Sequence, residues 1–165
     1  NVKSLTTPSW YSLLTSSIDV GSYEDMSTYT PANALMHYQT DLTTAVQDAI
    51  KALLGSKTYE LGELTYTAAS IAAGISVTYP KTGVSLTNDE AGQIPNVTLS
   101  YNGIALENTS KTSDFTLTGF EKSTNTNDSS VVSKIESLIN QNINIVFLKI
   151  QLCWIVIIRN WNVKK

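Results

Sequence analysis

Cysteine, histidine and charge are scarce in this chain, and each scarcity removes a class of function. The single cysteine, Cys153, rules out an internal disulfide. The single histidine, His37, must serve in any Ser-His-Asp or Cys-His site. It lies in a predicted helix between Met36 and Tyr38, with no glycine-rich turn beside it, and reads as a surface or helix-packing residue. One His and one Cys, far apart, leave too few soft ligands for zinc. Charged residues make up 15% of the chain, well below the usual quarter or so. Net charge is −3 and the 11 Lys and Arg are scattered, so no basic stripe faces a phosphate backbone and nucleic acid is disfavoured as a partner. No cofactor is expected. The one open metal chemistry is loop calcium at "TNDEAG" (87–92) or "TNTNDSS" (124–130), although neither has the spacing of an EF-hand loop.

What fills the space is Ser and Thr, together roughly a quarter of the residues. The polar surface is then built from hydroxyls and amides rather than ions, a composition common in exported proteins. An extracellular or cell-surface location is expected. The chain opens at Asn1 with no Met and no charged-then-apolar leader, which reads as a processed product.

"TTPSWYSLLTSSI" predicts a short helix, with Thr7 as N-cap and Pro8 at the first helical position. "TYTPANALMHYQTDLTTAVQDAIKALLGS" predicts a longer one. Thr30 and Pro31 start it, Gly55 stops it, and a break is expected near Gln39-Thr40-Asp41. Leu35, Tyr38, Leu42, Ala45, Val46, Ala49, Ile50 and Leu53 follow the helical period and form its core stripe. Strands are predicted at "ELTYT", "ISVTY", "GVSLT", "NVTLSYNGIAL" and "DFTLTGF". Asn102-Gly103 supplies the two positive φ angles of a type I′ hairpin turn. Residues 121–130 lack apolar side chains and read as a linker, after which "VVSKIESLINQNI" predicts a helix.

The order of "DLTTAVQDAIKALL", Thr-rich strands, a polar linker and "VVSKIESLINQN" resembles the spiralin-like surface lipoproteins of mollicutes, over residues 40–142. That resemblance implies a non-enzymatic surface protein with adhesin character. The acylated N-terminal cysteine of such lipoproteins is absent here, since Asn1 stands there.

The tail "INIVFLKIQLCWIVIIRNW" is the most apolar part of the chain. As a membrane span it is interrupted by Lys149 and Gln151 and falls short of about 20 apolar residues. Arg159, Trp161, Lys164 and Lys165 nevertheless suit a membrane interface, so peripheral membrane contact stays open. As a helix it is disfavoured, because Ile and Val dominate and no polar face emerges. As a strand it sets Val146, Leu148, Ile150, Leu152, Trp154, Val156 and Ile158 on one unbroken face, expected to be buried in the chain's own sheet or donated to a neighbour's edge. Composition shifts near Asn140 from Thr-rich to Ile- and Asn-rich, a shift that an altered reading frame at the gene's end would also produce.

Three sequons occur at Asn96, Asn108 and Asn127 and are candidates for glycosylation, with Asn108 and Asn127 expected in loops. Trp10, Tyr11, Tyr23 and Tyr29 cluster early and are candidates for an aromatic binding surface, against a competing role in the core.

The expected fold is α+β, with N-terminal helices packed on an antiparallel sheet or sandwich and an apolar C-terminal strand. Residues 1–55 form the helical part, 56–120 the β-rich part of the same domain, 121–130 the linker, and 131–165 a helix plus the apolar segment. The function expected is a non-catalytic surface protein, in adhesion or as a self-assembling structural subunit, partnered by itself or by a host surface component. The alternatives are a glycan- or host-protein-binding module and, behind it, a carboxylate-based hydrolase.

Overall fold

The computed structural model describes residues 9–124 and 129–163. It is an α+β protein that divides into two compact units, Asn1–Ser123 and Thr124–Lys165. The division falls inside the polar stretch read as a linker. Thr7 and Pro8, the predicted start of the first helix, lie outside the described residues.

In the first unit a 3₁₀ turn at Ser9–Leu13 leads to strand β1 (Ser17–Asp19) and a second short turn at Met26–Thr28. Helix α1 (Pro31–His37) follows. Thr30 caps it by accepting the Asn33 N–H at 3.3 Å, and Pro31 occupies a first-turn position where no N–H is needed. The chain breaks at Tyr38 and resumes as α2 (Gln39–Leu54), one residue ahead of the predicted break. Gly55 stops α2 at φ 71°. Leu42, Ala45, Val46, Ala49 and Ile50 are buried as the period requires, and Leu54 takes the buried place expected of Leu53. Tyr59 donates its hydroxyl to the Leu54 carbonyl at 2.7 Å, satisfying one of the acceptors that a helix end leaves open.

Strands β2 (Thr58–Leu61) and β3 (Leu64–Thr67) form a separate antiparallel hairpin that runs into α3 (Ala68–Ala73). Thr67 and Ser70 make a reciprocal capping box at the start of α3. The main sheet contains β4 (Ile75–Thr78), β5 (Ile94–Tyr101), β6 (Ile104–Ala105) and β7 (Phe115–Thr118) together with β1. Its order is β1-β7-β5-β4, with β6 beside β5. All pairings are antiparallel except β1 with β7, which is parallel. Helix α2 packs against β1, β4 and α3. Ile18, Ile94, Val97, Leu99, Phe115 and Leu117 fill one core with Leu42, Val46 and Ile50.

"GVSLT" is not a strand. Ser85 caps α4 (Leu86–Ala91) by accepting the Asn88 N–H, and Gly92 closes it in the left-handed region at φ 70°. The local cap and stop outweigh the β-branched residues, a contest that short segments decide on their ends. The hairpin at Asn102-Gly103 forms as expected, with φ 49° and 79°. A Cβ at Gly103 meets no atom within 4 Å, so Gly103→Ala carries only the backbone cost. We expect a loss of about 1 kcal/mol in chemical denaturation, with unchanged spectra.

The second unit is one helix, α5 (Ser129–Val163), of 35 residues. It contains the predicted helix and continues through the segment expected to be a strand. Val146, Leu148, Ile150, Leu152, Trp154, Val156 and Ile158 are therefore helical rather than alternating, and all are exposed, Trp154 at 61%. A strand needs a neighbour for every second N–H and C=O, whereas a helix satisfies these groups within itself. Ile and Val lower helix propensity by only tenths of a kcal/mol per residue. Extending the helix begun at 129–143 also avoids a new nucleation.

Candidate functional site

The early aromatics do not form one exposed row. Trp10 is buried, edge-on to Tyr11 at 4.7 Å and to Tyr101 at 5.5 Å between ring centroids. Tyr11, Tyr23 and Tyr29 are partly buried against the core. What reaches the surface is a pair, Tyr29 stacked on Tyr38 with centroids 4.0 Å apart. Partial burial pushes the Tyr29 phenol up, and the neighbouring Tyr38, Asp25 and Asp41 push it further.

His37 is exposed at the end of α1, its ring 6.5 Å from that of Tyr38. Among the described residues no hydrogen bond or ion pair joins it to a carboxylate or a nucleophile. His37→Gln is expected to leave stability within about 0.5 kcal/mol and any binding unchanged. A loss of binding in a variant that melts like the parent would give His37 a role.

Among the described residues no three His, Cys, Asp or Glu side chains come together to hold a metal ion. "TNDEAG", read as a loop, is the helix α4 and its stop. Asp89 is buried, and its Oδ1 accepts the Ala32 N–H at 2.8 Å, serving the first turn of α1. The second calcium candidate, 124–130, falls largely outside the described residues.

The sequons separate. Asn96 is exposed, at φ 58° beside the irregularity between β5 and β7. Asn127 lies outside the described residues. Asn108, expected in an open loop, is buried. Its Nδ2 donates to Thr112 Oγ1 at 2.8 Å and to the Asp114 carbonyl at 2.7 Å. Its Oδ1 accepts from the Ser110 and Thr112 N–H groups. The nitrogen a glycan would join is thus committed to holding the 108–114 loop, and the folded domain does not present it.

Among the described residues, two of the domain's concavities stand out. The larger, about 710 Å³, runs between α1 and the β4–α4 connection. Leu35, Met36, Val77, Tyr79, Pro80 and Val84 give it an apolar lining, and Lys81 is its one charged group. Met36 is 74% exposed. Strand β4 ends the sheet, and its Val77 and Thr78 line this groove. The smaller recess, about 520 Å³, is lined by Ser9, Tyr11, Ser12, Glu107, Asn108, Thr109 and Lys111. Neither lining holds the two carboxylates of a glycoside hydrolase. Burial first and the Glu107 charge second push the Tyr11 phenol up. The groove was not foreseen from the sequence. Its signal was the Pro80-Lys81-Thr82-Gly83 turn after Val77 and Tyr79.

Tyr79 anchors the groove wall. Its hydroxyl lies 2.9 Å from Thr43 Oγ1. Burial pushes the phenol up to about 12, with the Thr43 hydrogen bond pulling modestly the other way. An unfolded tyrosine ionises near 10. Below that pH both states hold the proton and stability is complete. As pH rises through 10 toward 12 the unfolded state ionises first, and stability falls. After allowance for solvent screening the loss attributable to Tyr79 is no more than about 2 kcal/mol. Tyr11 and Tyr29 add slope of the same sign. Denaturation of the parent and of Tyr79→Phe between pH 9 and 12 is expected to show a shallower decline in the variant.

Helix α5 presents the most unusual surface. Every side chain described from Val132 to Asn162 is exposed. That 31-residue stretch is long enough to cross a membrane, and its most apolar 18-residue window, with a mean hydropathy of 1.6, is apolar enough to do so. Apolar residues surround the helix from Ile145 to Ile158, apart from Lys149 and Gln151. No family model, curated protein or solved structure matches this chain.

Proposed function

We propose that this chain is a non-catalytic cell-surface protein whose α+β domain is displayed outside a bilayer by helix α5. The observation that carries this reading is the exposure of Val132–Asn162, a helical stretch long and apolar enough to cross a bilayer. A helix that is apolar all round and solvated is a liability, and a bilayer removes it. Ile145–Ile158 spans about 21 Å, short of a hydrocarbon core of about 30 Å. The Asn-rich turn at 140–144 then sits at the headgroups, local thinning closes the gap, and the Lys149 stem reaches back toward water. Trp154 and Trp161 suit the opposite interface. Arg159, Lys164 and Lys165 follow the apolar stretch, whereas only Lys134 precedes it closely. The positive-inside tendency therefore puts residues 1–123 outside. The Ser/Thr-rich, weakly charged surface of that domain and the likeness to spiralin-like surface lipoproteins point the same way.

The test is topology. Protease added to intact cells is expected to remove the domain and leave a fragment containing α5 with the membrane. A domain fully protected until the cells are opened would overturn the reading. Binding of a host protein is the second reading, carried by the apolar groove beside the β4 edge, where an extended peptide could add to the sheet.

A further inference from the structure

We propose that α5 pairs with the α5 of a second copy of this chain through a stripe of polar side chains. The inference rests on α5 being the membrane anchor and names its partner within the bilayer. Ser133, Ser137, Asn140, Asn144 and Gln151 recur at steps of 4, 3, 4 and 7 residues along one continuous helix. Such steps return to one face at about 100° per residue. All five side chains are exposed. Phe147, Ile155 and Ile158 lie within about 40° of Gln151 and give the same face apolar packing.

Two of these groups, Asn144 and Gln151, flank or enter the apolar stretch. Within hydrocarbon an amide without a partner is expensive, and the backbone of the helix is already committed to itself. The choice of a second copy follows from the chemistry of the amide. It carries donors and an acceptor together, so it is complementary to itself. Copies of a single-span chain insert in one direction, so paired helices are parallel and Gln151 meets Gln151 at the same depth, as Asn144 meets Asn144. Lys149 and Cys153 each lie about 160° around the helix from Gln151. The Lys149 ammonium groups are thus kept out of the contact.

The full chain, labelled and reconstituted into phosphatidylcholine–phosphatidylglycerol vesicles, is expected to show energy transfer between copies that falls on lipid dilution. The double variant Asn144→Leu, Gln151→Leu is expected to dissociate at about tenfold lower dilution, while Lys149→Leu behaves as the parent. A cysteine on the proposed face, Ile155→Cys in a Cys153→Ser background, is expected to form a disulfide dimer on oxidation, and Cys153 in the parent is expected to form little. A parent that is monomeric at every dilution, a double variant as associated as the parent, or equal cross-linking from both cysteine positions would each overturn the pairing. Failure of the anchor itself is read separately, because the chain would then leave the vesicle pellet in alkaline carbonate.

Discussion

Phe115→Ala is expected to cost about 3–5 kcal/mol, the cost of removing a fully buried aromatic from a close-packed core. Phe115 opens β7, the strand between β1 and β5, and its partner across the sheet is Val97. It is fully buried within the cluster that includes Ile18, Leu99 and Leu117. The neighbours are held by strand pairing on both sides, so the space left by the ring closes poorly. Total stability of a domain this size is typically about 5–15 kcal/mol, so the variant is expected to lose a large share of its margin. Urea unfolding read by tryptophan fluorescence measures the difference, with Trp10 as the buried reporter. Leu64→Ala, at an exposed position of β3, serves as a control expected to change stability by about 0.5 kcal/mol or less. A loss below about 1 kcal/mol at Phe115 would contradict the core as described.

Gly119→Ala is the second large effect. Gly119 follows β7 at φ 94°, a region that side chains disfavour. A Cβ there would run into Asp19 Oδ1 and into the backbone N of Gly21, at 2.6 Å from the latter. Gly21 is itself pressed, since a Cβ on it would lie 2.6 Å from the Gly119 carbonyl oxygen. The Val20 N–H bonds the Thr118 carbonyl at 3.0 Å, so the two segments cannot separate without losing the end of the parallel β1–β7 pairing. Backbone strain and backbone overlap together are expected to cost about 2–4 kcal/mol. Gly103→Ala, which carries strain without overlap, is the comparison. Equal losses at the two positions would show that the close approach of Gly21 and Gly119 does not constrain the fold.

The parts legible in the sequence are those whose information is local. Thr30, Pro31 and Gly55 mark the ends of the helical stretch, and the period of Leu42, Ala45, Val46, Ala49 and Ile50 marks its buried face. Asn102-Gly103 marks a turn whose φ angles few other residues tolerate. The parallel pairing of β1 with β7 joins residues about a hundred positions apart, and "SID" carries no alternation that announces a strand. Asn108 looks like a loop sequon because its burial depends on Thr112 and Asp114 folding back over it. The tail is ambiguous in sequence for a different reason. Apolar residues occupy nearly every position, so periods of 2 and 3.6 fit equally well, and only the helix beginning at 129 decides between them. Reading the tail with period two also hid the polar stripe of α5, whose members recur at helical steps.

Alkaline carbonate extraction of membranes carrying the full chain, beside a chain ending at Ser123, tests the central claim most directly. Residues 9–123 hold the sheet, α1 to α4 and the buried cluster, so the shortened chain is expected to fold and melt on its own. The account predicts that the full chain stays in the membrane pellet while the shortened chain is released and melts cooperatively. A full chain released by carbonate as folded protein, alongside the shortened one, would contradict it.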